Sequence, residues 1–208
     1  MSDALDYLLK VRSDAIPHYF KFLKETGKHL DPKTRALISV ITKVYAQTET
    51  GLRQYLLRAL REGASPMEVL DALLMAFPAL GLAKIVWAVD VILALDLPEF
   101  RPENIGTAAR WHDVAPAAQV GDGEAARLDC DGRGLFVYRE GDAYRVYDSR
   151  CPHQVTNIPH LALEGRELTC PKHKWVFDLT TGACVKKGTL PLKQFEAKVE
   201  KGRLLAYW

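Results

Sequence analysis

Four residues near the C-terminal end of this chain could do chemistry together. Cys151 and His153 are separated by one proline, and after a sixteen-residue gap come Cys170 and His173, with Pro171 and Lys172 between them. Each pair offers one thiolate and one imidazole, close enough in sequence for a single loop to present both. Two Cys and two His form the donor set of a [2Fe–2S] centre in which histidines replace two cysteines on one iron. They can also form a tetrahedral zinc site. Zinc modules usually group their ligands as Cys-Cys and then His-His, whereas both pairs here are mixed, which favours the binuclear cluster.

Such loops need a scaffold, and 208 residues, 48% of them hydrophobic, are enough for two small ones. Twenty-eight basic against 26 acidic side chains leave a net charge of +2, which gives no electrostatic case for nucleic acid as a partner. Beyond the two candidate ligands only Cys130 and Cys184 remain, and two unpaired thiols suit a reducing compartment. The N-terminus lacks the basic-then-apolar order of a signal peptide. The most apolar stretch, 85–97, is too short to cross a bilayer and carries Asp90 and Asp96. The expected location is therefore the cytoplasm, with no membrane partner.

The hydrophobic period differs between the two halves. Leu37, Ile38, Ile41, Val44 and Tyr45 recur at helical intervals after a start at Asp31-Pro32. Gly63 is placed to end the next helix, and Ser65 with Glu68 has capping-box spacing for the one after. Pro78 should stop or kink that helix. A last helix over 82–95 is apolar on more than one side, which implies burial in a bundle or against another subunit. The stretch 96–111, with two prolines and a glycine, reads as a break in the pattern. Beyond it the period moves towards two, with hairpins expected over 133–148, turning at 140–142, and over 195–207, turning at 200–202. The expected fold is thus an all-α bundle over 1–97, a linker over 98–110 and an all-β sandwich over 111–208.

The segments Arg150-Cys-Pro-His-Gln154 and Thr169-Cys-Pro-Lys-His-Lys-Trp-Val-Phe-Asp-Leu-Thr-Thr-Gly182 resemble the two cluster loops of Rieske ferredoxins. The resemblance implies a [2Fe–2S] cofactor, with Cys151 and Cys170 on the inner iron. His153 and His173 would hold the outer, reducible iron, their far ring nitrogens near solvent. Respiratory Rieske proteins add a cysteine to each loop; Thr156 and Lys172 stand there, so no bridge can close over the cluster. The same proteins donate serine and tyrosine hydroxyls where this chain has Trp175 and Phe177, which implies a low-potential centre. Lys172, Lys174 and Arg150, with Lys186 and Lys187, read as a basic rim for an acidic partner or as solvated surface. His160 reads as a surface residue, and His112 and Trp111 as packing residues.

Residues 30–38 and 59–69 resemble the carboxymuconolactone decarboxylase and alkyl-hydroperoxidase-D-like family. Its peroxidase branch uses a Cys-x-x-Cys pair with a glutamate and a histidine; those four places hold Ala36, Thr48, Gly51 and Tyr55 here. Without thiols there is no thiolate or disulfide chemistry. The decarboxylating branch needs no cysteine pair, and Glu49, Tyr45, Tyr55 and His18 are the side chains to inspect for it. No catalytic residue is assigned. The leading expectation is an electron carrier between a flavin-dependent reductase and an oxygenase-type acceptor, with the helical half as a homo-oligomerisation scaffold. The alternatives are a bifunctional protein acting on a small lactone or acid, and a cluster-based sensor. A Rieske oxygenase is not the expectation: it needs a 2-His-1-carboxylate iron domain, whereas 35 residues follow His173 and the upstream half has just His18 and His29 before its linker.

Overall fold

A computed structural model describes residues 3–153 and 155–208. The chain forms two compact units, Met1–Val91 and Ile92–Trp208. The first contains α1 (Asp3–Val11), α2 (Ile16–Glu25), α3 (Pro32–Tyr45), α4 (Glu49–Arg61) and α5 (Pro66–Met75); α6 (Phe77–Leu93) ends just past its boundary. The starts follow local chemistry. The Asp31 carboxylate accepts from the Thr34 amide at 3.0 Å and caps α3. At α5 the capping box is complete: the Glu68 amide donates to Ser65 Oγ and the Ser65 amide to Glu68 Oε2, at 3.1 and 2.8 Å. The other Glu68 oxygen accepts from Lys33 Nζ at 2.7 Å, which ties the start of α5 to the first turn of α3.

Val40 and Val44 from α3, Leu52 and Leu56 from α4, and Val69 and Leu73 from α5 are fully buried and form the bundle core. Pro78 marks a break, as the sequence implies. α5 ends at Met75, and Gly81 sits at φ 71°, outside helical geometry, so the regular part of α6 begins near Leu82. The apolar character of α6 is not absorbed within this chain: Leu82, Val86 and Leu93 remain 64, 50 and 56% exposed. None of the residues of α2 is buried.

The second unit carries ten strands. A six-stranded antiparallel sheet has the order β1-β10-β9-β4-β3-β2, from Trp111–Pro116, Arg203–Tyr207, Gln194–Glu200, Ala143–Asp148, Arg133–Glu140 and Ala125–Cys130. A four-stranded sheet runs β5-β6-β7-β8, from Leu163–Glu164, Glu167–Thr169, Val176–Asp178 and Cys184–Lys186. Both expected hairpins form, β3 with β4 and β9 with β10. Strand β3 is buried on both faces, and its alternation divides two cores. Leu135 and Val137 pack with Val146, Phe195 and Leu204. Phe136 and Tyr138 pack with Tyr147, Leu168, Phe177 and both Cys151 and Cys170. The second core is therefore the layer between the large sheet and the candidate ligands.

The segment after α6 is anchored by charge. Arg133 and Asp148 are buried and meet at 2.6 Å, and Arg133 also reaches Glu99 at 3.4 Å. Arg150 is buried as well. Its amide donates to Asp148 Oδ1 at 2.9 Å, and its guanidinium donates to the Asp96 carbonyl. The reading of Arg150 as part of an exposed basic rim is thus corrected: desolvation drove it to partners inside the fold. Leu97, Pro98 and Phe100 are buried too, so the start of the connecting segment is packed. Breaking a buried pair of this kind typically costs roughly 3–5 kcal/mol, because the surviving charge keeps its desolvation penalty without its partner. No helix of the described residues is long and apolar enough to cross a membrane.

Candidate metal centre

The first candidate loop leaves β4 of the large sheet, and the second joins β6 to β7 of the small one. Their backbones close in the same way. In the first, the Cys151 amide donates to the Thr156 carbonyl at 2.9 Å and the Val155 amide to the Cys151 carbonyl at 2.8 Å. In the second, the Cys170 amide donates to the Trp175 carbonyl at 2.8 Å and the Lys174 amide to the Cys170 carbonyl at 2.9 Å. The fifth residue of each, Val155 and Lys174, lies in the left-handed region at φ 47° and 58°. That conformation is unfavourable for a lysine and more so for a β-branched valine, so both loops store strain at the same point. Many stand-alone Rieske ferredoxins place glycine where Lys174 stands. Gln154 lies outside the described residues.

This shared loop compensates for unequal sequence spacing. His153 is two residues after its cysteine and His173 three, yet their Nδ1 atoms face each other at 3.2 Å, with ring centroids 4.4 Å apart. Cys151 and Cys170 are 1% and 0% exposed and share the second core, whereas both imidazoles are half-buried. Burial, and then the neighbouring His173 and Lys172, push the pKa of His153 down. Two buried thiols beneath two imidazoles match the donors of a mixed-ligand iron–sulfur cluster. Among the described residues no three His, Cys, Asp or Glu side chains gather as they would around one metal ion.

Comparison with known proteins identifies the family of the second half of the chain. The family model described as Rieske [2Fe-2S] domain matches residues 110–196. The ferredoxin component of the naphthalene 1,2-dioxygenase system of Pseudomonas aeruginosa is 31% identical over 98 residues, covering 46% of this chain and 93% of that protein. The chain belongs to the Rieske [2Fe–2S] family. The ferredoxin component of the alkene monooxygenase system of Xanthobacter autotrophicus is 30% identical over 95 residues, 45% of this chain and 77% of that protein. Among solved structures, a complex of reduced oxygenase and oxidised ferredoxin in carbazole 1,9a-dioxygenase aligns at 30% identity and a TM-score of 0.38. It covers 46% of this chain and 91% of the matched chain. The carboxymuconolactone decarboxylase family model matches residues 14–94, in the helical half of the chain.

The remaining residues of the Rieske domain fall into place around the centre. Trp175 stacks on His153 at 4.8 Å. Phe177 is completely buried in the same core as the two cysteines and brings no hydrogen-bond donor to it. Lys172, Lys174, Lys186 and Lys187 are exposed. His160 is exposed at the start of a short turn. His112 packs: it meets Asp131 at 2.6 Å and stacks on Trp208 at 4.1 Å. The repeated left-handed residue was not legible in the sequence, because neither valine nor lysine advertises that conformation.

In the helical domain, a cleft of about 320 Å³ is lined by Arg35, Ala36, Ser39, Tyr55 and Arg58 among others. Ala36 and Tyr55 stand where the peroxidase branch keeps its acid and its imidazole, and among the described residues no acidic side chain lines the cleft. Of the four side chains singled out for decarboxylation, only Tyr55 is there. Glu49 pairs with Arg53 at 2.8 Å, Tyr45 lies under Lys84 and His18 is exposed.

Because Phe177 offers the buried cysteines no hydroxyl, the midpoint potential should lie at the low end of the Rieske range, about −150 mV rather than about +300 mV. Phe177→Tyr should raise it, as redox titration of both proteins will show. A wild-type value above about +100 mV would mean that other donors reach the sulfurs.

Proposed function

We propose that Cys151, His153, Cys170 and His173 hold a [2Fe–2S] cluster, and that the chain passes single electrons from a flavin-dependent reductase to an oxygenase-type acceptor. The observation that carries the reading is the pair of matched loops that turn two imidazoles towards each other above two buried cysteines. The cluster, when bound, supplies a one-electron carrier. The chain's own residues do the rest. The thiols are kept from water, and the imidazoles sit at the surface where a partner can approach. Phe177 and Trp175 keep hydroxyl donors away. The ferredoxin components of oxygenase systems among the relatives support the acceptor class. Two cysteines outside the ligand set, Cys130 and Cys184, form no disulfide with each other, which suits a reducing cytoplasm. When reduced, the protein should show the low average g-value of a mixed Cys/His centre by electron paramagnetic resonance, and His173→Ala should remove it. A colourless protein with stoichiometric zinc would refute the iron assignment.

The partner's face should be acidic. Lys172 and Lys174 flank His173, and Lys186 and Lys187 precede Gly188, whose backbone lies against the Trp175 ring that stacks on His153. All four are exposed, and among the described residues none is in an ion pair. Charge attraction between such surfaces is screened over about 10 Å at 0.1 M salt. Electron transfer to the acceptor should therefore slow as salt rises. Lys172→Glu combined with Lys174→Glu should lower the association rate in stopped-flow while leaving the cluster spectrum unchanged.

The helical domain (1–97) serves as an oligomerisation scaffold in this reading. Leu82, Val86 and Leu93 form an exposed apolar stripe on α6, which a second copy would cover. Sedimentation should show an assembly larger than one chain, and Val86→Glu should shift it towards monomer. One observation favours a second reading, a bifunctional protein acting on a small lactone or acid: the cleft is lined by Arg35, Arg58 and Tyr55, with Arg58 also paired to Glu62 at 3.8 Å. Turnover of such a compound by the full chain would select it over the scaffold.

A further inference from the structure

One contact at the proposed centre is assembled from three separate pieces of the chain. The indole of Trp175, on the second loop, lies over the imidazole of His153, on the first, with centroids 4.8 Å apart and planes 11° from parallel. The Trp175 carbonyl accepts the Cys170 amide at 2.8 Å, which fixes where its side chain begins. Gly188 lies against the six-membered part of the indole. A Cβ there would stand 2.2 to 2.4 Å from three ring carbons, so only glycine leaves room for this seat. Lys187, just before it, turns the chain at φ 69°. Among the described residues no ring stacks on His173. Its one ring contact among the described residues is the steep meeting with His153, planes 79° apart.

An imidazole's rotation about its last side-chain bond is broad and weakly restrained. A flat aromatic neighbour narrows it, because sliding or tilting the ring sacrifices stacking contact. The two candidate ligands on the reducible iron are therefore held to different degrees. We infer that Trp175 is a positioning residue for His153, seated by Gly188, and that it makes the two histidine ligands inequivalent: His153 is clamped in plane and His173 is not. The inference rests on the proposed ligand set. It gives Trp175 a purpose other than the absence of a hydroxyl, and it assigns a role to Gly188, which lies outside both cluster loops.

The test uses the full chain loaded with its cluster, with pulsed electron paramagnetic resonance of the reduced state to read the couplings to the ligand nitrogens. The wild type should show two distinct couplings. Trp175→Leu should merge or broaden them and speed cluster loss to an iron chelator by about three- to tenfold, the rate equivalent of one aromatic stack. Trp175→Phe should retain the wild-type pattern in large part. Gly188→Ala should reproduce the leucine effect by displacing the indole, and circular dichroism should show the fold intact in each protein. Should Trp175→Leu fail to load, Gly188→Ala and Trp175→Phe still decide the matter. Couplings and loss rates that are unchanged in both Trp175→Leu and Gly188→Ala would overturn the inference alone. A loaded wild type with no ligand-nitrogen couplings would refute the ligand set itself, and the inference with it.

Discussion

The proposed cluster requires two buried thiols and two half-exposed imidazoles to be held at fixed separation by loops with no regular structure of their own, and much of the second domain is arranged around those loops. Each loop is closed by a pair of backbone hydrogen bonds to and from its cysteine, and each contains a left-handed residue, Val155 or Lys174. A strained turn persists only where its surroundings over-determine it. Here the surroundings are two sheets. One loop is rooted in β4 of the large sheet, the other in the β6–β7 connection of the small one, and Phe136, Tyr147, Leu168 and Phe177 fill the layer between them. The double burial of β3 follows from this plan, since the strand must face its own sandwich core on one side and the ligand layer on the other.

Charge does the same work at the back of the first loop. Arg150 directly precedes Cys151, and its position is set by Asp148 and by the Asp96 carbonyl, while Asp148 also holds Arg133. Buried charges are tolerable when each has a partner, and this network supplies the partners from the connecting segment as well as from the strands. The stretch that looks like a plain linker by composition thus contributes Asp96 and Glu99 to the support of a proposed ligand loop.

The helical domain carries a cleft but none of the four residues that the peroxidase branch uses. The cleft is present, but an alanine and a tyrosine occupy two of the four peroxidase positions on its wall, and the remaining charges are guanidinium groups. With Ala36, Thr48, Gly51 and Tyr55 at the four positions, the thiols, acid and imidazole of a thiol peroxidase are absent. The uncovered apolar residues on α2 and α6 are a separate matter, since they concern what lies against the outside of the bundle.

The sequence by itself determined the class of each half and the identity of the cofactor. Helical and strand periods are local properties, and a Cys-Pro-His with a Cys-Pro-Lys-His carries its donor chemistry in the residue types. It also determined the helix starts, because the caps at Asp31 and Ser65 involve only neighbours three residues away. Only the tertiary structure decided that unequal spacings place the two imidazoles 3.2 Å apart, because the compensating turn is a backbone conformation that its residues do not announce. It also decided that Arg150 is a buried strut while the nearby lysines are exposed. A cationic side chain looks the same in sequence whether it faces water or a carboxylate brought in from elsewhere in the fold. The pairing of Trp175 with Gly188 is of the same kind: twelve residues of intervening chain had to fold before the room left by a missing side chain acquired a purpose.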